Sequence, residues 1–137
     1  MPGKCLLFFK RSCPNYFDDL HAMNQDGSNP SNLTNSITYD YAPQYSPDGT
    51  QITYYVSHNN GNDIYIMDLN GDNKINRTGG IGENWGTTFS QNGAEIAFYS
   101  YRNGNFEVFI MGSNGSNLIN LSNHDSEDTA PQFTPEP

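Results

Sequence analysis

A spacing of 44 residues constrains this chain more than any other feature. Met23, Met67 and Met111 stand 44 apart, and so do Gly27, Gly71 and Gly115. Residues 35–78 slide onto 79–122 without a gap and match at 13 of 44 positions. The mismatches are mostly conservative, such as Tyr54 on Phe98, Asp63 on Glu107 and Ile64 on Val108. A fixed period of this length means stacked supersecondary units, none of which buries its apolar face alone. Both ends keep the register. Residues 128–136 fall on 40–48, and residues 3–9 fit 49–55 once two extra residues are allowed within 10–17. The repeat count is three.

Each unit reads as four short strands. In the middle repeat strand a covers residues 42–46, closed by Pro47-Asp48-Gly49, whose chemistry sets one negative and one positive φ. Strand b covers 51–57, where Ile52 and Tyr54 alternate with Gln51 and Thr53. The loop 58–62 leads to strand c at 63–68, and Asn70-Gly71 predicts a type I′ turn into strand d at 75–78. Residues 79–84 then cross to the next strand a. Composition agrees: 19 Asn and 13 Gly supply turns, while nine Tyr and eight Phe supply strand-forming bulk. An aromatic share of 13% argues against disorder although apolar residues reach only 34%.

The run Ala-Pro-Gln-Tyr-Ser-Pro-Asp-Gly-Thr-Gln-Ile-Thr-Tyr-Tyr at 42–55, followed by Asn-Asp-Ile-Tyr-Ile-Met-Asp-Leu-Asn-Gly at 62–71, resembles the WD-like blade of the TolB propeller family. The likeness covers nearly the whole chain. The last repeat departs at the a–b turn, with Ser90-Gln91-Asn92-Gly93 in place of Ser-Pro-Asp-Gly. The resemblance implies an all-β fold, a ring of four-stranded blades with strand a innermost beside a central channel. Six blades are usual in such members, in a periplasmic or extracellular setting. One propeller domain or half-domain then spans 1–137. Its first blade has strands b to d at 3–34, completed by a strand a at 128–137; the other blades cover 40–78 and 84–122. Three blades close a ring poorly, because each turns about 120° where propellers use 4–8 blades. Two chains placed head to tail give six, so the expected assembly is a homodimer with strand exchange into the partner's first blade.

In that ring the d–a crossings and b–c loops share one face, and the crossings end at the channel mouth. Their last residues are Tyr39-Asp40-Tyr41, Glu83-Asn84-Trp85 and Glu127-Asp128-Thr129. Asp40, Glu83, Asn84, Glu127 and Asp128, with Tyr41 and Trp85 beside them, make a candidate site for a cation or a basic, aromatic-anchored peptide. The plainer alternative is that these Asp and Asn residues end the loop and cap the first strand. Asp19, Asp63 and Glu107 open strand c in every repeat, and a residue present in each blade reads as an acceptor for nearby backbone amides. The Asn-x-Ser/Thr triplets at 32, 76 and 120 are likewise a strand-d signature rather than glycosylation sites. Residues 68–73 have the oxygen spacing of a calcium loop but lack the bidentate Glu and full length of an EF-hand. No cofactor is expected, calcium being the one ion the sequence suggests.

His21 falls where Tyr65 and Phe109 sit, a packing position, while His58 and His124 reach the loop face without a reason to converge. No Gly-x-Ser-x-Gly elbow, Cys–His constellation or phosphate loop is present. Cys5 and Cys13 specify neither compartment nor metal site. The loop 10–17, with its two extra residues, is expected to protrude and to be the most mobile b–c loop. Fifteen acids against six Lys and Arg give a net charge of -9, which repels phosphate and argues against nucleic acid. The longest apolar run, residues 5–9, is too short to cross a bilayer, and no secretory signal is legible. The expected function is a non-catalytic binding scaffold for a protein, peptide or other ligand at the mouth and loop face. The resemblance leaves an alternative, the propeller of a metal-dependent lyase or a fragment of a propeller-containing peptidase.

Overall fold

The computed structural model describes residues 5–11 and 16–135. Among these there are eleven strands, and no helix is long and apolar enough to cross a membrane. Three antiparallel sheets follow one another along the chain. The first has the order β1 (Cys5–Arg11), β2 (Asp18–Asn24), β3 (Ser31–Asn32). The second is β4 (Tyr39–Tyr45), β5 (Gln51–His58), β6 (Gly61–Asp68), β7 (Ile75–Asn76). The third is β8 (Asn84–Phe89), β9 (Glu95–Ser100), β10 (Glu107–Gly112), β11 (Ile119–Asn120). Each sheet is one repeat, and the middle two strands of the second and third sheets carry the apolar alternation that the sequence shows.

Two cores lie between successive sheets. Leu20 and Leu33 of the first sheet's repeat pack with Ile52, Tyr54, Val56 and Met67 of the second. One repeat on, Ile64 and Ile66 pack with Phe89, Ile96, Phe98, Phe109 and Met111. Each blade thus offers one apolar face backward and another forward. Gly71 shows how close the approach is: a Cβ there would lie 2.2 Å from the Leu33 carbonyl oxygen of the preceding repeat. Its φ of +86° is also open to glycine at little cost.

The structure departs from the sequence reading in three places. His58 pairs directly with Gly61, so the expected five-residue loop at 58–62 closes as a two-residue turn at Asn59-Asn60. Strand a of the middle blade starts earlier, at Tyr39, and is kinked between Tyr41 and Gln44 where Ala42 takes φ +51°. The turn after Asp68 is not type I′, because Gly71 has positive φ but Asn70 does not. Instead Gly71 N–H donates to Asp68 O at 3.0 Å and Asp68 N–H to Asp72 O at 2.9 Å. This is a three-residue loop, a type I turn followed by a left-handed glycine. Residues 129–135 form no strand within this chain, and the first sheet has three strands. Ala130 nevertheless has φ +53°, matching Ala42 and Gly86 at the kinks of β4 and β8. Residues 12–15 lie outside the described residues, and with them Cys13 and the expected protrusion of the 10–17 loop. Its base is held by Arg11 Nε, 3.3 Å from Asp18 Oδ1.

Candidate functional site

One hydrogen-bond motif recurs in all three repeats and fixes where each d–a crossing leaves its blade. Asp19 Oδ1 accepts from Thr34 Oγ1 at 3.3 Å and from Ser36 N–H at 2.9 Å. Asp63 Oδ1 accepts from Thr78 Oγ1 at 2.6 Å and from Gly80 N–H at 2.9 Å. Glu107 accepts from Ser122 Oγ at 2.9 Å and from His124 N–H at 3.1 Å. Asn32 and Asn76 add their Nδ2 to Asp19 and Asp63, while their Oδ1 atoms receive the amides of the following turn. The repeated acids and the Asn-x-Ser/Thr triplets are therefore two halves of one lock. Buried carboxylates are tolerated here because each receives several donors.

Asp40 and Asn84 occupy equivalent places just beyond that lock, and both are buried. Asp40 accepts from Ser36 Oγ at 2.8 Å and Thr38 Oγ1 at 3.2 Å. Burial pushes its carboxyl pKa up, against those hydrogen bonds. Asn84 Nδ2 donates to the carbonyls of Asn62, Ile81 and Gly82. Asp128, at the third equivalent position, is half-buried; its N–H donates to Phe106 O, and its Oδ2 lies 3.0 Å from His124 Nε2. Within this chain the Asp40 and Asn84 side chains bind hydroxyls and carbonyls of the adjoining segments rather than free amides of the first strand. Glu83 and Glu127 are the exposed acids of the set.

Arg102 was not singled out from sequence, yet it changes the electrostatics of the mouth. Its guanidinium lies 4.7 Å from the Phe109 ring centroid, and it donates to Asn84 Oδ1 at 2.7 Å and Ser100 Oγ at 3.0 Å. The readable signal was the alignment of Arg102 with His58, two cation-capable residues at one repeat position. His58 lies 3.7 Å from Asp63 Oδ2 and tilts against Tyr65. His21 stacks on Phe8, as the packing position implies, and burial lowers its pKa. Among the described residues no three His, Cys, Asp or Glu side chains gather as a metal site. The 68–73 loop instead ties its own oxygens to Asn70 and Asn73 amides.

A row of aromatic rings crosses all three repeats beside these acids. Phe9 meets Tyr41 at 5.4 Å, Tyr41 meets Tyr55 at 5.5 Å, and Tyr55 meets Trp85 at 5.4 Å. Tyr39 and Phe17 extend the row at one end. Tyr41 donates its hydroxyl to Asp18 Oδ2 at 2.8 Å, and burial with that carboxylate pushes its pKa up to about 12. The indole N–H of Trp85 has no acceptor among the described residues. Only Tyr41 and Trp85 of this row were legible as site residues; Phe9 and Tyr55 come from strand b and read as ordinary core.

A family model described as the TolB beta propeller domain matches residues 7–137. Among solved structures, the chain is similar to a protein from Agrobacterium tumefaciens described as TolB, with a TM-score of 0.81 at 24% identity over 93% of this chain and 45% of that one. TolB from Acinetobacter baumannii gives 0.77 at 24% identity, over 90% and 32%. The β-propeller domain of the trilobed protease from Pyrococcus furiosus gives 0.60 at 14% identity, over 84% and 37%. Such identities speak to the fold alone. The chain spans less than half the length of each of these structures. No curated protein matches the sequence.

Proposed function

Because the chain belongs to the TolB β-propeller domain family, we propose that it is a non-catalytic binding scaffold whose loop face and channel mouth engage a protein or peptide. The observation that carries this reading is the aromatic row from Phe9 through Tyr41 and Tyr55 to Trp85, with exposed Glu83 two residues from Trp85 and exposed Glu127 at the equivalent position of the next crossing. Aromatic rings offer large contact area at small entropic cost. The flanking acids favour a basic segment over an acidic one. Asp40 and Asn84 belong to the site as its buried supports and Asp128 as a half-buried one, while Tyr41, Glu83, Trp85 and Glu127 make contact.

The same reading includes a homodimer. The first sheet ends at β1, and residues 129–135 carry the kinked conformation of strand a without pairing in this chain. A second copy supplies the missing strand and completes a six-bladed ring. Isothermal calorimetry with a panel of basic, aromatic-containing peptides tests the scaffold. Binding that weakens in Glu83→Gln with Glu127→Gln, at unchanged melting temperature, supports it; no heat from any peptide or from calcium ends it. Exposed charges make that binding salt-sensitive.

One observation favours a second reading, the propeller of a larger enzyme: the likeness extends to the propeller of a trilobed protease. Metal analysis separates the two. Stoichiometric metal that is lost in both His58→Ala and His124→Ala supports the enzyme.

A further inference from the structure

The second and third blades differ at one point of the loop face. Asn105 Nδ2 donates to three oxygens at once: Glu107 Oε1 at 3.1 Å, His124 O at 2.8 Å and Ser126 O at 3.0 Å. It plugs the gap between the b–c loop and the d–a crossing of its blade. The equivalent residue one repeat earlier is Gly61, because Asn60-Gly61 stands where the third blade has Gly104-Asn105. The equivalents of the three acceptors are the Asp63 carboxylate and the carbonyls of Gly80 and Gly82. No side chain reaches them from position 61. A cavity of about 310 Å³ lies there, lined by His58, Asn60, Gly61, Asp63, Gly80 and Gly82 among others. A Cβ built on Gly61 would lie 3.2 Å from Gly82 O and 3.4 Å from Glu83 Cγ, so it would enter the same gap that Asn105 fills.

The geometry points to a recognition site for a primary ammonium group in this cavity, of the kind a lysine side chain of a protein partner presents. The sister blade shows which chemistry the gap accepts, an N–H donor facing one carboxylate and two carbonyls. An amide nitrogen has two protons for three acceptors, whereas an ammonium has three. A charged donor also makes the stronger hydrogen bond to a carboxylate. Exposed Glu83 at the rim adds a second negative charge, and Gly82 O retains acceptor capacity although Asn84 Nδ2 approaches it at 3.3 Å. A lysine stem fits an opening that leads to solvent, because its methylenes lie along the walls while the head enters. This inference deepens the loop-face reading by naming the side chain that the second blade selects.

The test is NMR titration of the full chain with Nα-acetyl-lysine methylamide, with methylammonium, and with the norleucine analogue that lacks the nitrogen. Saturable shifts at the Gly61, Gly80 and Gly82 amides with lysine, and none with norleucine, are expected. Tighter binding of lysine than of methylammonium assigns the site to a peptide side chain, and equal binding assigns it to free amines. The double variant Asn60→Gly with Gly61→Asn copies the third blade's order and should weaken lysine at least tenfold. Asn105→Gly should open a second site, with new lysine-dependent shifts at His124 and Ser126. No saturable shift in the wild type, equal shifts with norleucine, or unchanged binding in the folded double variant would overturn the inference. Lysine shifts in the wild type, with no binding of any aromatic-containing peptide, would isolate a failure of the mouth instead.

Discussion

Thr78 Oγ1 donates to Asp63 Oδ1 at 2.6 Å and accepts the Ile64 N–H at 3.1 Å, so one hydroxyl joins strand d to strand c. Thr34 does the same for Leu20 and Asp19, and Ser122 for Val108 and Glu107. Thr78→Val keeps the shape but leaves a buried carboxylate short of a donor and a buried amide without its acceptor. Unfolding in urea should show a loss of about 1–3 kcal/mol. Thr78→Ser, the residue type at 122, should lose much less. Equal midpoints for the valine variant and the wild type would refute the lock.

The parts that repeat were the parts legible in the sequence. Asn76 recurs at 44, Asp63 and Thr78 recur there as Glu107 and Ser122, and each aligned acid accepts a backbone amide, as its repetition implies. The strands β5 and β6 were legible because Ile52, Tyr54, Ile64 and Ile66 alternate on buried faces. Local turn geometry was less so. Asn70-Gly71 is a strong type I′ signal, yet three residues close that hairpin, with Asn70 Nδ2 held by Asp72 Oδ2 at 2.7 Å. The aromatic row was hidden for a different reason. Phe9, Tyr41, Tyr55 and Trp85 come from different strands of three repeats, so their convergence depends on how sheets stack. Arg102 lies in a loop, where no periodicity announces a partner.

Asp40 should reveal itself in the pH dependence of stability. Burial raises its folded pKa above the ordinary carboxylate value of 3.8, so the folded state binds its proton more tightly than the unfolded chain does. Its contribution to stability is therefore greatest below that value and declines as pH rises through the raised folded one. Asp40→Asn, which copies Asn84, removes the decline. The variant should match the wild type in acid and exceed it by about 1 kcal/mol at neutral pH, the scale of one buried polar group. A difference that shrinks as pH rises would contradict this.

The kink in strand a makes opposite demands on two equivalent positions. Ala42 is exposed at φ +51°, a region that costs a residue with a Cβ roughly 1 kcal/mol. Gly86 takes φ +56°, and a Cβ there would lie 2.6 Å from Tyr99 Cε1. Ala42→Gly should be stabilising by about 0.5 kcal/mol, the backbone relief partly offset by unfolded-state entropy. Gly86→Ala should be destabilising by 1 kcal/mol or more, about what strain and a displaced ring imply together. Thermal melts of both variants check the pair, and a stabilising Gly86→Ala would show the kink to be misassigned.

The forward face of the third blade and the backward face of the first supply the argument for assembly. Ile52 and Ile96 are fully buried against the preceding blade, while Leu6 at the same repeat position is 45% exposed. Leu33 is 7% exposed against the following blade, while its equivalent Leu121 is 57% exposed. Ile110 is half-buried where Ile66 is fully enclosed. These two open faces are complementary, because each lacks what the other provides in the cores between successive blades. In the proposed homodimer a second copy placed head to tail would cover both pairs of faces through one two-fold axis and bring residues 129–135 of each copy to the other's β1. Sedimentation of residues 1–137 at micromolar concentration should therefore give twice the 15.3 kDa chain mass. Leu6→Asp and Ile110→Asp, on opposite faces, should each abolish the dimer, since each one breaks both interfaces. Removing residues 128–137 should leave an aggregating or unfolded chain, because β1 then has no partner strand to recruit. A folded monomer at that concentration would end the dimer and the shared channel together, and leave the loop-face cavity at Gly61 to be tested by itself.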